Sequence, residues 1–315
     1  MKIGNVEIKN GIFLAPMAGV TDSAYRRICK RNGVEFVTTE LISGKAVCFG
    51  DKKTKIYASF HEEERPLAIQ LFGSDSYHIS KAAYLLMELK PDVIDINMGC
   101  PVPKAVKSGE GSALLKNPKL CGEILSAVKK EVTVPVTAKI RRGFEKDSTE
   151  GFNVALELEA AGADAIFVHG RTAAQMYSGR SDNGIIKKIK ENVSCPVIGN
   201  GDVCSPDDAL RMIKETRCDG IMVGRACMGD PWVFGKIKAA FEGKEFIPPT
   251  DEEFRATILE QIKMMIENKG EYIAVREARK HLSWYTKGRY GSAALRDRIN
   301  KVESAEEIYN IISNM

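Results

Sequence analysis

The chain has 315 residues, of which 44% are apolar and 28% are charged, and its formal net charge is +4. This composition is typical of a globular protein, and its mildly basic balance permits an anionic partner without requiring one. The eight cysteines form no C-x-x-C pair and no zinc-finger spacing with a histidine, which argues against a metal site. No segment resembles a signal peptide or a membrane span, so we expect a protein of the cytoplasm.

Short apolar runs recur along the chain and predict strands that are buried on both faces, because each run is rich in Val, Ile or Phe and mostly continuous. In chain order the runs are 12–15, 36–39, 67–72, 93–97, 134–140, 165–169, 196–200 and 220–224. The segments between them, such as 80–89 and 118–131, carry apolar residues at helical spacing. This alternation predicts a parallel sheet, and the number of units favours a (β/α)₈ TIM barrel over an open doubly wound sheet.

Polar side chains lie near the carboxyl ends of four predicted strands: Gln70, Asn97, Lys139 and His169. Each one alone is compatible with an ordinary structural role. In a (β/α)₈ barrel, however, the carboxyl ends of all strands meet at the face that carries the active site. We therefore predict that these four side chains converge on one opening.

Glycine-containing turns follow the seventh and eighth strands, at Gly199-Asn200-Gly201-Asp202 and Gly224-Arg225. Barrels commonly bind phosphate at this position through backbone N–H groups, and glycine lets the backbone approach the phosphate closely. Arg225 adds a charged donor. The turns therefore predict a ligand that carries phosphate, although plain left-handed turns remain an alternative. No G-x-G-x-x-G follows the first strand, so a Rossmann site is not indicated.

Two further residues suggest the chemistry of the mouth. Lys139 would stabilise the negative charge of a reduced flavin ring, for which Gln70 offers a donor and an acceptor. A Schiff-base lysine is the competing interpretation of Lys139. Cys100 lies on a loop that Pro101 and Pro103 keep irregular. A free thiol is mostly protonated at neutral pH and can act as a general acid, whereas the alternative is a buried structural cysteine.

The ordered motifs resemble those of the tRNA-dihydrouridine synthases over almost the whole chain. They are APMAGVTD, QLFG, DINMGCP, the Lys139 strand, HGRT, and NGD followed by GR. The segment GSALL after the cysteine loop is most similar to the bacterial B-type branch. The resemblance implies an FMN-binding barrel domain over 1–245 and a helical tRNA-binding domain over 246–315.

The resemblance also implies an activity and a set of residues. NADPH would reduce FMN, hydride would pass from flavin N5 to C6 of a D-loop uridine, and Cys100 would protonate C5. Asn97 and Arg171 would lie near the uracil. The FMN contacts would fall on Pro16, Met17, Ala18, Gln70, Lys139, His169, Asn200, Gly201, Asp202, Gly224 and Arg225.

The strand pattern stops after Pro248-Pro249, and helical patterns follow. Thr250 or Asp251 can cap the first of these helices, and a second fits 273–285, with Val275 on its apolar face. Residues 276–301 contain eight Lys and Arg against two Asp and Glu, a net charge of +6. Such a segment suits a phosphate backbone, but it is also typical of a solvated surface.

Arg276, Lys280 and Lys287 share a polar face of the second helix and are the candidate tRNA contacts. Trp284, Tyr285 and Tyr290 interleave with the charges and either stack on RNA bases or form the core of the helical segment. Two rival functions remain open at this point. One is an FMN-dependent dehydrogenase of a free pyrimidine, of the dihydroorotate type, and the other is a non-catalytic RNA-binding barrel protein.

Overall fold

The computed structural model describes residues 1–288 and 291–315, apart from the side chains of Lys52, Lys53 and Lys55. Its centre is a parallel barrel with strands β1 (Ile12–Leu14), β2 (Val37–Thr38), β3 (Leu67–Phe72), β4 (Val93–Met98), β5 (Val136–Arg141), β6 (Ala165–His169), β7 (Val197–Asn200) and β8 (Gly220–Val223). Each strand pairs with its neighbour in this order and β8 pairs with β1. A parallel bridge between Phe13 and Phe36 closes the ring. The predicted barrel is confirmed, and the open doubly wound sheet is wrong.

Helices surround the barrel and follow its strands. They are α1 (Ser23–Arg31), α2 (Gly44–Cys48), α3 (Lys52–Ala58), α4 (Ser76–Leu86), α5 (Pro103–Lys107), α6 (Pro118–Glu131), α7 (Glu150–Ala160), α8 (Asn183–Lys190), α9 (Pro206–Thr216) and α10 (Val233–Phe241). Short 3₁₀ segments lie at Glu62–Glu64, Met87–Leu89, Gly111–Lys116 and Arg225–Cys227. The helix predicted for 118–131 is confirmed. The one predicted for 80–89 begins earlier, because the Asp75 carboxylate accepts from the His78 amide and caps the helix there.

Aromatic side chains fill the barrel at the amino ends of its strands. Phe13 packs against Phe36 and Phe167, each with ring centroids 5.4 Å apart. An antiparallel hairpin of strands Lys2–Ile3 and Val6–Glu7 contributes to the same apolar cluster. Sequence periodicity did not reveal this hairpin, because each of its strands has only two residues. With this end packed, the accessible interior lies at the carboxyl ends of the strands.

Four helices follow the barrel: α11 (Asp251–Lys269), α12 (Glu271–Tyr285), α13 (Ser292–Lys301) and α14 (Ala305–Ser313). Thr250 caps α11 in a capping box with Glu253, as the sequence predicted. The apolar cluster of these helices also contains Ala24, Ile28 and Trp232 of the barrel segment. No helix in the described parts of the chain has the length and apolar character needed to cross a membrane.

Candidate active site

Two adjoining cavities lie at the carboxyl end of the barrel, and both are open to solvent. The β6–β8 cavity is lined mainly by residues that follow β6, β7 and β8. The Cys100 cavity is lined mainly by the β1 and β4 loops. Their shared lining residues are Pro16, Met17, Lys139, Arg141, Tyr177 and Arg225. The two cavities are therefore compartments of one mouth, and a single extended ligand can occupy both.

A chain of hydrogen bonds runs under the Cys100 cavity. The Asp95 carboxylate accepts from Gln70 Nε2 at 2.6 Å and from Thr137 Oγ1 at 2.6 Å. Gln70 Oε1 accepts from Asn97 Nδ2 at 3.0 Å, and Asn97 Oδ1 accepts from the Cys100 amide at 2.9 Å. Because Asp95 accepts only, it fixes the orientation of both amides in turn. The loop that carries the thiol is thus anchored to the barrel interior.

Lys139 lies in the carboxyl half of β5, between the two cavities. Its Nζ donates to Asn200 Oδ1 at 3.0 Å, and Asn200 Nδ2 donates to the Met222 carbonyl at 2.8 Å. Burial and the nearby Arg141 guanidinium together lower the pKa of Lys139 to about 7, against the opposing charge of Asp95. A lysine in this state gains its full charge when an anionic group binds beside it.

Positive charge gathers in the β6–β8 cavity. Arg171 is 3% exposed and donates from Nη2 to the Asp202 carboxylate at 2.7 Å, while its Nη1 has no hydrogen-bond partner among the described residues. Arg225 lies 4.8 Å over the Tyr177 ring. Burial, and then the charge of Lys139, hold the pKa of His169 well below its usual value, so this imidazole is neutral. Four cationic side chains face one carboxylate here, which favours an anionic ligand.

The turn after β7 brings backbone to the surface of this cavity. Gly201 has φ of 131° and Asp202 has φ of 51°, both in the region that favours glycine. Burial opposes the shift, but the Ser181 amide and Arg171 bring the pKa of Asp202 below its usual value. The Asp202 carboxylate is therefore ionised and orients Arg171. The unpaired Arg171 Nη1 and this open turn are what a phosphate group would need.

The sequence prediction missed several residues of the mouth, chiefly Arg141 and Asp95. Arg141 is 4% exposed, and its Nε donates to the Gly99 carbonyl at 2.8 Å beside Cys100. A sequence signal existed for both, since Arg141 stands two residues after Lys139 and Asp95 two before Asn97, on the same faces of their strands.

Most of the predicted site residues line the mouth. Ala18, Asn97 and Cys100 line only the Cys100 cavity. The β6–β8 cavity contains His169, Arg171, Asn200, Gly201, Asp202 and Gly224. Two residues differ from expectation. Gln70 is fully buried beneath the mouth, in hydrogen bonds to Asp95 and Asn97, and Arg171 lines the cavity that lacks Cys100.

Of the candidate RNA contacts, Arg276 and Lys280 lie on α12, and Lys287 follows its C-terminal end. Its apolar face, with Val275, Leu282 and Tyr285, is buried as predicted. Tyr285 therefore belongs to the core, and its hydroxyl donates to Gln261 at 2.8 Å. Trp284 is half-buried, and Arg289 and Tyr290 lie outside the described residues.

Among the basic residues, Arg276 and Lys287 are exposed. Lys280 Nζ lies 3.2 Å from the Cβ position of Gly19, at the edge of the mouth. Arg279 instead donates from Nε to the Val302 carbonyl at 3.1 Å, and Lys301 pairs with Asp297. Arg279 and Lys301 therefore have structural partners. Arg276 donates to the Tyr272 carbonyl of its own helix at 2.9 Å, but its side chain remains exposed.

A closed parallel barrel whose mouth joins a cation-rich cavity to a loop thiol defines a barrel enzyme with a site for an anionic ligand. Comparison with known proteins identifies the family to which this barrel enzyme belongs. The family model described as "Dihydrouridine synthase (Dus)" matches residues 13–314, and the chain belongs to this family.

Full-length relatives support the assignment. The chain is 38% identical to tRNA-dihydrouridine synthase B of Pseudomonas putida over 307 residues, 97% of this chain and 91% of that protein. It is 38% identical to the Shewanella oneidensis protein of the same name over 313 residues, 99% of this chain and 97% of the relative. The Vibrio parahaemolyticus protein of that name is 39% identical over 307 residues, 97% of this chain and 95% of the relative.

Solved structures share the fold at low sequence identity. Histamine dehydrogenase from Rhizobium sp. 4-9 superposes with a TM-score of 0.62 at 16% identity, over 84% of this chain and 50% of that chain. A 2-naphthoyl-CoA reductase superposes with a TM-score of 0.58 at 14% identity, over 78% of this chain and 52% of that chain. This chain thus spans about half the length of each, and the likeness concerns the barrel.

Proposed function

We propose that the protein reduces the C5–C6 double bond of uridine in the D-loop of tRNA to 5,6-dihydrouridine, with FMN as cofactor and NADPH as reductant. The observation that carries the proposal is the junction of the two cavities at Lys139, with Cys100 in one and a cation-lined phosphate site in the other. Family membership and relatives named tRNA-dihydrouridine synthase B support the same reaction. They argue against a free-pyrimidine dehydrogenase and against a non-catalytic RNA-binding protein.

The residues fit FMN on their own chemistry. The ligand phosphate would lie against the Gly201 and Gly224 turns, with Arg171 and Arg225 as charged donors. Lys139 would lie beside the flavin ring, with Pro16, Met17, Ala18, His169, Asn200 and Asp202 completing the contacts. Gln70 would act from beneath, by orienting Asn97. When bound, FMN supplies the hydride that uracil C6 accepts.

The protein residues handle the proton and the orientation of the uracil. Cys100 Sγ gives its proton to C5 and is reprotonated from solvent, so that one hydride and one proton are added across the double bond. Asn97 holds the Cys100 amide and presents its own side chain to the Cys100 cavity. Arg171 lines the β6–β8 cavity, and its proposed role is to bind the cofactor phosphate rather than the uracil. The target base must leave the tRNA stack to enter the mouth.

The test uses purified holoprotein and tRNA that lacks dihydrouridine. Released cofactor should co-elute with FMN, and the RNA should gain two hydrogens by mass spectrometry when NADPH is added. Cys100→Ala should keep NADPH-driven flavin reduction and lose dihydrouridine formation by about 100-fold or more, the usual scale for a general acid. Recovery of FAD, or near wild-type RNA reduction by Cys100→Ala, would contradict the site. Cys195→Ala, at the amino end of β7 and outside both cavities, is the matched control.

A further inference from the structure

An exposed group of rings lies at the mouth, outside the residues assigned so far. It consists of Phe49, Tyr77 and His78 together with Lys81, and we refer to it as the aromatic ledge. Phe49 is 80% exposed and Tyr77 is 62% exposed. The His78 ring lies between them, with centroids 6.2 Å from Phe49 and 5.2 Å from Tyr77. Exposing two large aromatic side chains to water is energetically unfavourable, which suggests that a binding partner covers them.

The topology brings the ledge to the same end of the barrel as Cys100. Helix α4 begins just after the carboxyl end of β3, and α2 follows strand Ile42–Ser43, which pairs with the last residues of β3. The loop after Cys100 contacts this region, since the Cβ position of Gly109 lies 3.8 Å from Ser74 Cβ. The basic helix α12 instead lies by the β1 loop, where Lys280 reaches Gly19. The ledge and α12 therefore lie beside different loops of the same mouth.

Contacts within the ledge order His78 and Tyr77 before any partner arrives. The Asp75 carboxylate lies 2.8 Å from His78 Nδ1 and also accepts from the His78 amide. The His78 carbonyl accepts from Cys48 Sγ at 3.4 Å, which ties α2 to the first turn of α4. Lys81 Nζ lies 5.6 Å from the centre of the Tyr77 ring. Pre-ordered rings lose little conformational entropy when a flat group stacks on them.

The charges around the ledge indicate the chemical class of its binding partner. Lys45, Lys81, Lys104 and Lys107 are exposed. Of the nearby carboxylates, Asp75 is engaged with His78, Asp51 accepts from Thr54 Oγ1 at 2.7 Å, and Glu110 is 9% exposed. Rings flanked by cations suit single-stranded nucleic acid, whose bases stack while its phosphates meet the lysines. A second copy of the chain would bring the same lysines together, which is unfavourable.

We propose that the aromatic ledge is a second RNA contact, where an unpaired base of the tRNA stacks while another part of the molecule is held by α12. The inference rests on the proposed function, because it deepens the way in which that site takes its substrate. In this proposal the barrel binds tRNA together with the basic helix α12.

The test compares Phe49→Ala/Tyr77→Ala with wild-type holoprotein. A stacked base contributes a binding energy equivalent to about tenfold or more in affinity, so the double variant should bind tRNA at least about tenfold more weakly. The rate at saturating tRNA and flavin reduction by NADPH should stay unchanged. The matched control is Tyr84→Ala, because Tyr84 is 60% exposed on the same helix, about 10 Å further from the mouth.

A spectroscopic arm reports stacking directly. The chain already contains Trp232 and Trp284, so each variant is compared with wild type. The additional fluorescence from Phe49→Trp should be quenched by tRNA, whereas the additional fluorescence from Tyr84→Trp should not respond. Unchanged tRNA affinity in the double variant, or equal quenching at both positions, would overturn the ledge. A variant that changes from dimer to monomer with unaltered tRNA affinity would reassign the ledge to self-association. If tRNA binds through the ledge but wild-type protein forms no dihydrouridine, the proposed function fails and the ledge stands.

Discussion

Asp95 lies at the centre of the hydrogen-bond chain that orients Asn97, yet its carboxylate is 1% exposed. Burial raises the pKa of Asp95 to about 6, against the hydrogen bonds from Gln70 and Thr137 and the charge of Lys139. The folded protein therefore holds a proton on Asp95 at pH values where the unfolded chain has released it. The protonated Asp95 side chain contributes fully to the free energy of unfolding below about pH 4, and this contribution is lost as the pH rises through about 6.

We predict that Asp95→Asn becomes more stable relative to wild type as the pH rises from 4 to 6.5. The neutral amide avoids the cost of burying a charge. A pKa shift of about two units corresponds to about 3 kcal/mol in the free energy of unfolding. Its oxygen still accepts from Gln70, and its NH₂ can donate to the Thr137 hydroxyl. Urea unfolding of both holoproteins across this pH range measures the difference. The control is Asp147→Asn in an exposed turn, and a difference independent of pH would contradict the prediction.

At the scale of single elements, α12 contains both core and candidate binding residues. Arg276 and Lys287 are exposed and Lys280 reaches the mouth, whereas Arg279 holds the carbonyl at the end of α13. A helix with one buried face and exposed cations on the other can present a row of charges to a phosphate backbone.

Replacing Arg276, Lys280 and Lys287 together with Gln should weaken tRNA binding and flatten its salt dependence. Each lost phosphate contact should lower the slope of log K against log salt by about 0.7 to 0.9, because fewer counterions are released. The control removes the same charge from exposed positions on outer barrel helices, Lys130, Lys187 and Lys214. Binding at several salt concentrations, paired with stopped-flow flavin reduction, provides the measurement. Equal slopes in the two triple variants would assign the α12 cations to ordinary solvated surface.

The sequence predicted the barrel strands well, because apolar runs buried on both faces need no partner to be recognised. It did not predict the depth of each polar residue in the mouth. Gln70 pairs in register with Asp95, one layer below Asn97 and Lys139, and is therefore buried. Register between neighbouring strands depends on barrel stagger, which a single strand does not encode.

At the scale of the whole molecule, the C-terminal helices share one core with the barrel segment. Trp232 stacks on Phe254 at 5.3 Å, and both rings contact Tyr285. Lys269 of α11 pairs with Asp22 at 2.6 Å across the same junction, and it also pairs with Glu277 of α12 at 2.5 Å. The boundary predicted at 245/246 remains a prediction about function, because the packing on either side of it is continuous.

A shared core predicts that the chain unfolds in one transition. Phe254 is 7% exposed, so Phe254→Ala should remove its contacts with Trp232 and Tyr285 and lower the free energy of unfolding by about 3 to 5 kcal/mol. Because the junction belongs to both parts, helix loss by circular dichroism and flavin release should shift together to lower temperature. Ile273→Ala is the control, since Ile273 is 47% exposed on α12 and should change stability by only about 0.5 kcal/mol. If helix content fell first while flavin stayed bound, the C-terminal helices would be a separately folding domain.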